Sequence, residues 1–411
     1  MTRNQTTALL AAVAATLGLP WVGSLLKWSG HIPGFGVFPP QRVLQPPGFN
    51  GTYFAVAALV ALVMVAFLLA PQWFGFKRVV GFPRPPTPVP LPPWFYVGAV
   101  VCLASWGTMW FTGSPLVKYL FTALWWGFIA AIDGVVYRLS GGASIFSRLP
   151  KQMFWLAVTS AIGWWAFEWV NYFVLENWVY PNSPRIFTTA QALFWFSLTY
   201  TCVFPAIFEI YTLLRLFPNL NLRWASGPVV APSDKAVALI MLVGAAGAFL
   251  VGLYPYPLFF AVWLTSLLIL PEAMGVVGLW TPFSTLSTGN WAPLVLCAIA
   301  SLITGFFWEF WNHGSNVWFP RCNPNYWVYD VPYVNVVVGF TEMPIIGYFG
   351  YLPFGVQCWM WWLVLANLLG LPYDFDPSGV GLPGTQVAGL APSSGEATSG
   401  PASSAVGGKS T

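Results

Sequence analysis

Two acidic residues stand near the ends of apolar runs in matching company. Glu168 lies in GWWAFEWVNYFVLENWVYP (Gly163 to Pro181), and Glu309 in GFFWEFWNHGSNVWFP (Gly305 to Pro320). On a helix, Asn171 is i+3 from Glu168, Asn312 is i+3 from Glu309, and His313 is i+4 from Glu309, so each set shares one face. Burying a carboxylate in an apolar span costs several kcal/mol unless it is protonated or paired, which makes an intramembrane acid a candidate site. Two chemistries fit. Each glutamate can be a neutral acid bonded to its asparagine, to an indole N–H or to a tyrosine hydroxyl, tying helices together. Alternatively, both can face one cleft as acids able to donate a proton, with Asn171, Asn312 and His313 orienting them and the ligand. Trp165, Trp169, Trp308, Trp311 and Trp327, with Trp164, would wall that cleft with π faces able to hold a cation or a flat polyene. Acid plus aromatic wall suits protonation or isomerisation of an isoprenoid, quinone or other lipid. The chain has 25 Trp, however, and any one of them also fits the aromatic belt at a membrane interface.

The other acids divide by context. Asp133, in AAIDGVVYR, is expected to pair with Arg138 or to cap a helix. Glu209 follows the helix-kinking Pro205 by four residues, and the corresponding position in a second proline-containing helix is the neutral Gln357. Glu342, in the break Glu342-Met343-Pro344, joins Glu309 and His313 as the set for an asymmetric site in the second half of the chain. A metal site is not expected. The chain has two His, and the paired Glu-x-x-His pattern of helical di-metal sites is missing. Scarce His also argues against haem or chlorophyll ligation, and no cofactor is named by the sequence. Phosphate-binding, dinucleotide, GxSxG and HExxH motifs are all missing.

The elements that must position these residues are membrane helices. The 411 residues are 57% hydrophobic and 7% charged, against about 25% charged in an ordinary soluble domain. Apolar runs predict about ten spans: 8–26, 53–70, 94–112, 116–137, 153–175, 189–216, 236–253, 257–279, 291–312 and 354–371. An eleventh segment, 333–351, is broken by Glu342-Met343-Pro344 and reads as re-entrant or surface-lying. The fold class is therefore all-α and polytopic. Met1 to Leu26 lacks a clear small-residue cleavage site and reads as a retained first helix.

Lys and Arg set the orientation. With the N-terminus inside, the cytoplasmic segments hold Arg3, Lys77, Arg78, Arg84, Arg138, Arg148, Lys151, Arg215, Arg223, Lys235 and Lys409. The opposite face holds Lys27, Arg42, Lys118, Arg185 and Arg321. Both termini are expected in the cytoplasm of a bacterium, with the chain in its inner membrane. The net charge of +4 is small for this length, so no nucleic-acid partner is expected.

An internal echo organises the chain. KYLFTALWWGFIAAIDGV (Lys118 to Val135) is similar to YPLFFAVWLTSLLILPEAMGV (Tyr256 to Val276). About 45 residues later come FEWVN and WEFWN, then NWVYP and YWVYDVP, then the proline helices PAIFE and PFGVQ. The expected organisation is an N-terminal helix pair (1–80), a Pro-rich linker (81–93), a four-span repeat (94–217), a second repeat (236–370) and a disordered Gly/Pro/Ser tail (372–411). Repeats with an even number of spans are parallel, which makes Glu168 and Glu309 counterparts around an axis along the membrane normal.

FTALWWGFIAAIDGVVYRLSG, WWAFEWVN and NWVYP resemble an uncharacterised family of bacterial multi-pass membrane proteins; the likeness covers most of 115–371 and implies no activity. The order WVY, then PAIFE and PFGVQ, is also similar to heterodimer-type lycopene cyclases, which are duplicated and carry a Trp-x-Tyr loop before a proline-plus-acid helix. Their paired Pro-x-Glu-Glu is missing here and the spacing is longer, so that resemblance illustrates a chemistry without assigning it. Three functions follow as expectations. The first is a membrane-embedded enzyme or binding protein for a lipid or isoprenoid, with Glu168, Glu309, His313 and Glu342 at its centre. The second is a non-catalytic subunit whose partners are other membrane proteins as well as the bilayer. The third is a transporter.

Overall fold

The computed structural model describes residues 1–79, 86–373 and 375. The first helices are α1 (Arg3–Lys27), α2 (Gly51–Leu69), α3 (Pro93–Phe111), α4 (Val117–Leu139) and α5 (Pro150–Asn171). Then come α6 (Thr189–Tyr200), α7 (Val203–Arg215), α8 (Asp234–Leu253), α9 (Ala261–Val276), α10 (Ala292–Val317) and α11 (Tyr351–Leu369). Among the described residues, eight helical runs are long and apolar enough to cross a bilayer, with α6–α7 counted as one run and the turn Ile345–Gly350 joined to α11. The remaining two expected spans are also helical. α5 is long enough but carries Glu168 and Asn171 in its last turns, and α9 is a shorter apolar helix of 16 residues. The protein is an all-α polytopic membrane protein.

Helix starts follow ordinary capping chemistry. Thr2 and Gln5 form a capping box on α1, Thr188 and Gln191 do so on α6, and Asn50 and Ser233 accept the Tyr53 and Ala236 N–H groups that open α2 and α8. The α6–α7 break has a specific cause. Pro205 has no N–H and cannot continue the helix from Thr201. Ser160 of α5 satisfies the interrupted backbone: its hydroxyl donates to the Tyr200 carbonyl (2.5 Å) and accepts from the Phe204 N–H (3.0 Å). That clamp fixes Tyr200 against α5, where the site needs it.

α3 packs on α4 and α8 on α9, while α5 packs on α7 and α10 on α11. α10 also packs on α7, and α11 on α5, so the two halves interlock through these four helices. α1 lies on α8 and α9. That contact depends on two glycines: a Cβ on Gly23 would overlap the Phe249 carbonyl oxygen, and one on Gly252 the Pro20 carbonyl oxygen and the Ser24 N–H. Close approach of this kind is what small residues supply between membrane helices. Gly252→Val is accordingly expected to cost about 1–3 kcal/mol or more. The check is the thermal midpoint of the detergent-solubilised protein, together with its monodispersity on gel filtration; an unchanged midpoint would show that α1 does not depend on this contact.

Among the described residues, sheet structure is confined to β1 (Trp178–Val179) and β2 (Val328–Tyr329), which pair antiparallel. The segment expected to be broken at Glu342-Met343-Pro344 is irregular up to Pro344, with one bridge from Val337 to Pro344, and only then turns helical. Asp133 does not pair with Arg138. It accepts from the Phe146 N–H (2.8 Å), the Ser144 hydroxyl (2.8 Å) and the Trp94 indole (2.8 Å), capping the short helix Ile145–Arg148. Residues 80–85 of the Pro-rich connector lie outside the described residues, as does nearly all of the tail. The exceptions at its start are packed: Tyr373 stacks on Trp280 (5.7 Å) and Phe375 on Phe208 (4.1 Å).

Candidate functional site

Glu168, on the last turn but one of α5, is 2% exposed. Its Oε1 accepts four hydrogen bonds: from the Tyr180 hydroxyl (2.6 Å), the Tyr200 hydroxyl (2.8 Å), the Trp164 indole (3.2 Å) and the Trp178 indole (3.3 Å). Its Oε2 has no partner among the described residues. Glu309 on α10 repeats the arrangement with fewer donors. Oε1 accepts from Tyr351 (2.6 Å) and Tyr329 (2.7 Å), the Trp327 indole donates to the Tyr329 hydroxyl (2.9 Å), and Oε2 again has no partner. In both cases one tyrosine comes from the WVY segment and one from the start or approach of the proline helix. The difference lies one turn earlier on the Glu helix. Trp164 occupies that position on α5, whereas Gly305 occupies it on α10, and a Cβ there would come within 2.5 Å of the Tyr351 ring. Tyr351 fills the space that an indole takes in the first half.

The asparagines hold the strands. Asn171 donates Nδ2–H to the Trp178 carbonyl (3.0 Å). Asn312 donates to the Trp327 carbonyl (2.8 Å) and also accepts the Trp327 N–H (3.0 Å). The strands in turn pair with each other, Trp178 opposite Tyr329 and Val179 opposite Val328. Each valine therefore faces the residue of the same rank in the other WVY triplet, and a local two-fold axis passes through the valine pair. Asn171 and Asn312 are positioning residues: they fix the triplets that carry Tyr180, Tyr329 and the two indoles.

One cavity of about 1020 Å³ lies against both carboxyl shells. Tyr180 and Tyr200 from the first shell and Tyr329 and Tyr351 from the second line it, with Trp164 and Trp308 between them. Those two indoles stack at 5.2 Å and 26°. The opposite wall is α2, through Tyr53, Val56, Ala57, Val60, Ala61 and Met64, the recurring i, i+3/i+4 positions of one helix face. α2 is tied at its ends: Asn50 N–H donates to the Tyr333 carbonyl (3.0 Å), the Tyr53 hydroxyl to the Pro257 carbonyl (3.0 Å), and Arg223 to the Leu69 carbonyl. Its middle stands over the cavity and leaves only Ala61 of its 19 residues buried.

No family model, curated protein or solved structure matches this chain. The chemistry must be read from the site alone.

The structure brings together part of the expected set. Trp308 and Trp327 line the cavity. Trp165 instead donates to Ser197 (3.0 Å) and packs on Phe38 and Tyr200, on the far side of the first shell. Trp169 donates to the Leu17 carbonyl (3.0 Å) and packs on Trp21 and Phe35, facing α1. Trp311 is 1% exposed among Trp106, Trp125 and Phe128. His313 and Glu342 bond to each other (Nδ1 to Oε1, 2.8 Å) at a partly exposed rim, pinning the irregular segment to α10. Among the described residues, no three His, Cys, Asp or Glu side chains gather as a metal site. A tyrosine hydroxyl is among the partners expected for each glutamate, but the four tyrosines themselves are not singled out by reasoning from acids and tryptophans. Their signal was present: the third residue of each WVY triplet is Tyr, and a Tyr precedes each proline of the proline helices by a few positions.

Proposed function

We propose that this integral membrane protein holds a lipid or isoprenoid in the aromatic cavity between its two halves, with Glu168 and Glu309 governing the tyrosines that meet the ligand. The observation that carries this reading is that one apolar cavity has in its wall the hydrogen-bond donors of both buried glutamates. Its volume, about 1020 Å³, suits a ligand of substantial size. Each carboxyl keeps one oxygen fully engaged and the other free, so each can hold a proton on Oε2 without disturbing its shell. In this reading 94–217 and 236–370 are two parallel units, meeting at the Val179–Val328 axis. The Lys and Arg asymmetry supports a bacterial inner membrane with both termini cytoplasmic, which puts the strand end on the extracytoplasmic side.

Native mass spectrometry after gentle extraction tests the reading. The wild type should carry a stoichiometric small lipid. Glu309→Gln should lower its occupancy by about tenfold, the equivalent of about 1.4 kcal/mol, with folded yield within about twofold. Stoichiometric polypeptides with no bound small molecule would overturn the reading in favour of a subunit of a larger complex.

A further inference from the structure

Resting on that reading, we infer that the cavity takes an uncharged lipid whose polar end is a hydroxyl, and takes it from the bilayer past α2.

Three observations define the ligand. First, no described residue on the cavity wall is charged. A phosphate or carboxylate head would therefore enter a low-dielectric space without a counter-ion, which costs several kcal/mol. Second, the tyrosines of the two carboxyl shells meet the ligand as acceptors. The hydrogens of Tyr180, Tyr200 and Tyr351 are committed to glutamate oxygens, leaving lone pairs on each phenol. Third, Asn177 also lines the cavity and is 4% exposed; its Nδ2 donates to the Val174 carbonyl (3.0 Å), and its Oδ1 has no partner. A hydroxyl end supplies a donor to these phenol oxygens, which a ketone, an ether or a bare hydrocarbon cannot.

The route follows from α2. One face of this helix lines the cavity, while Leu59, Leu62 and Val63 on its other sides are 62%, 64% and 50% exposed. This helix, pinned at both ends and otherwise packed on the turn Ile345–Gly350, separates the cavity from bilayer hydrocarbon by the width of one helix.

The test uses three photoreactive probes with the same diazirine-bearing C18 chain and different ends: the alcohol, its methyl ether and its phosphate monoester. Each is added at equal mole fraction to the full-length protein in phosphatidylcholine nanodiscs, and crosslinked peptides are mapped. The alcohol should label Thr52–Met64 and Met343–Phe354 at least about tenfold more than the phosphate, and clearly more than the ether. Ala57→Phe, which adds bulk to the α2 wall of the cavity, should remove that labelling, while Leu59→Phe on the other side of α2 should not. Equal or stronger labelling by the phosphate overturns the uncharged class, and ether equal to alcohol overturns the hydroxyl; both leave the cleft standing if Ala57→Phe still blocks. Labelling of the wild type that is indifferent to Ala57→Phe overturns the cleft itself.

Discussion

Asn312→Ala should be among the most damaging single substitutions in the protein, and about twice as costly as Asn171→Ala. Asn312 satisfies both the N–H and the C=O of Trp327, whereas Asn171 satisfies only the carbonyl of Trp178. Asn312 is 0% exposed, so truncation leaves two backbone groups without a partner. Each buried polar group so orphaned costs about 1–3 kcal/mol, which gives about 2–6 kcal/mol for Asn312→Ala. The loss should also spread along a defined route. Trp327 holds Tyr329, Tyr329 is bonded to Glu309, and β2 pairs with β1, which carries Trp178 beside Glu168. Thermal midpoints of the two variants, read by tryptophan fluorescence, should separate in that order, and Asn312→Asp should fall between wild type and Asn312→Ala because it keeps the acceptor. Equal midpoints for Asn312→Ala and Asn171→Ala would mean that the second bond to Trp327 adds nothing.

How much of this was legible in the sequence depends on how local each cause is. Helices and the break at Glu342-Met343-Pro344 were legible, because length, apolarity and proline act within a few residues. The matched Glu-x-x-Asn turns and WVY triplets pointed to one neighbourhood, since a carboxylate in an apolar run needs a partner. Its partners were less legible: Tyr200 and Tyr351 reach their glutamates from 32 and 42 residues away. Nothing in either segment announces that the Ser160 clamp turns Tyr200 inward, or that Gly305 makes room for Tyr351. The role of α2 was hidden for a different reason. GTYFAVAALVALVMVAFLL is apolar on every side, so its periodicity names no inward face, and only the position of its tethers shows which side meets the cavity. The tryptophans failed in the opposite direction. They are so abundant that residue type could not separate Trp308, on the wall, from Trp311, three positions on and packed against Trp125 and Phe128.

Raising the pH should loosen the cover at the strand end through one residue, Glu176. It lies beyond the end of α5, is 2% exposed, and neither carboxyl oxygen has a partner among the described residues. Gly34 of the segment between α1 and α2 sits directly against it, with φ +73°; a Cβ there would overlap Glu176 Oε1. The titratable groups that face it are the phenols of Tyr172 and Tyr256, and neither offers a positive charge. Burial pushes the Glu176 carboxyl up to about 8 from its ordinary 4.5. Below about 4.5 the group is protonated whether the cover is seated or released, and the full stability of the seated form is present. Between 4.5 and 8 the released form gives up the proton while the seated form keeps it, so seating weakens by about 1.4 kcal/mol per pH unit. Above 8 both forms are ionised and the whole penalty is in place. The same segment supplies Val37, whose carbonyl accepts the Tyr172 hydroxyl (2.7 Å), Pro40, whose carbonyl accepts the Tyr180 N–H (3.3 Å), and Arg42, paired with Asp330. Its release would therefore uncover Tyr180 and the first carboxyl shell. Hydrogen exchange of amides in residues 30–47, corrected for the intrinsic pH dependence, should rise about tenfold per unit between pH 5.5 and 7.5. Glu176→Gln should flatten the profile by removing the ionisation, while Arg42→Ala should raise exchange at every pH and leave the slope intact. A wild-type profile already flat across that window would mean that Glu176 does not govern the cover.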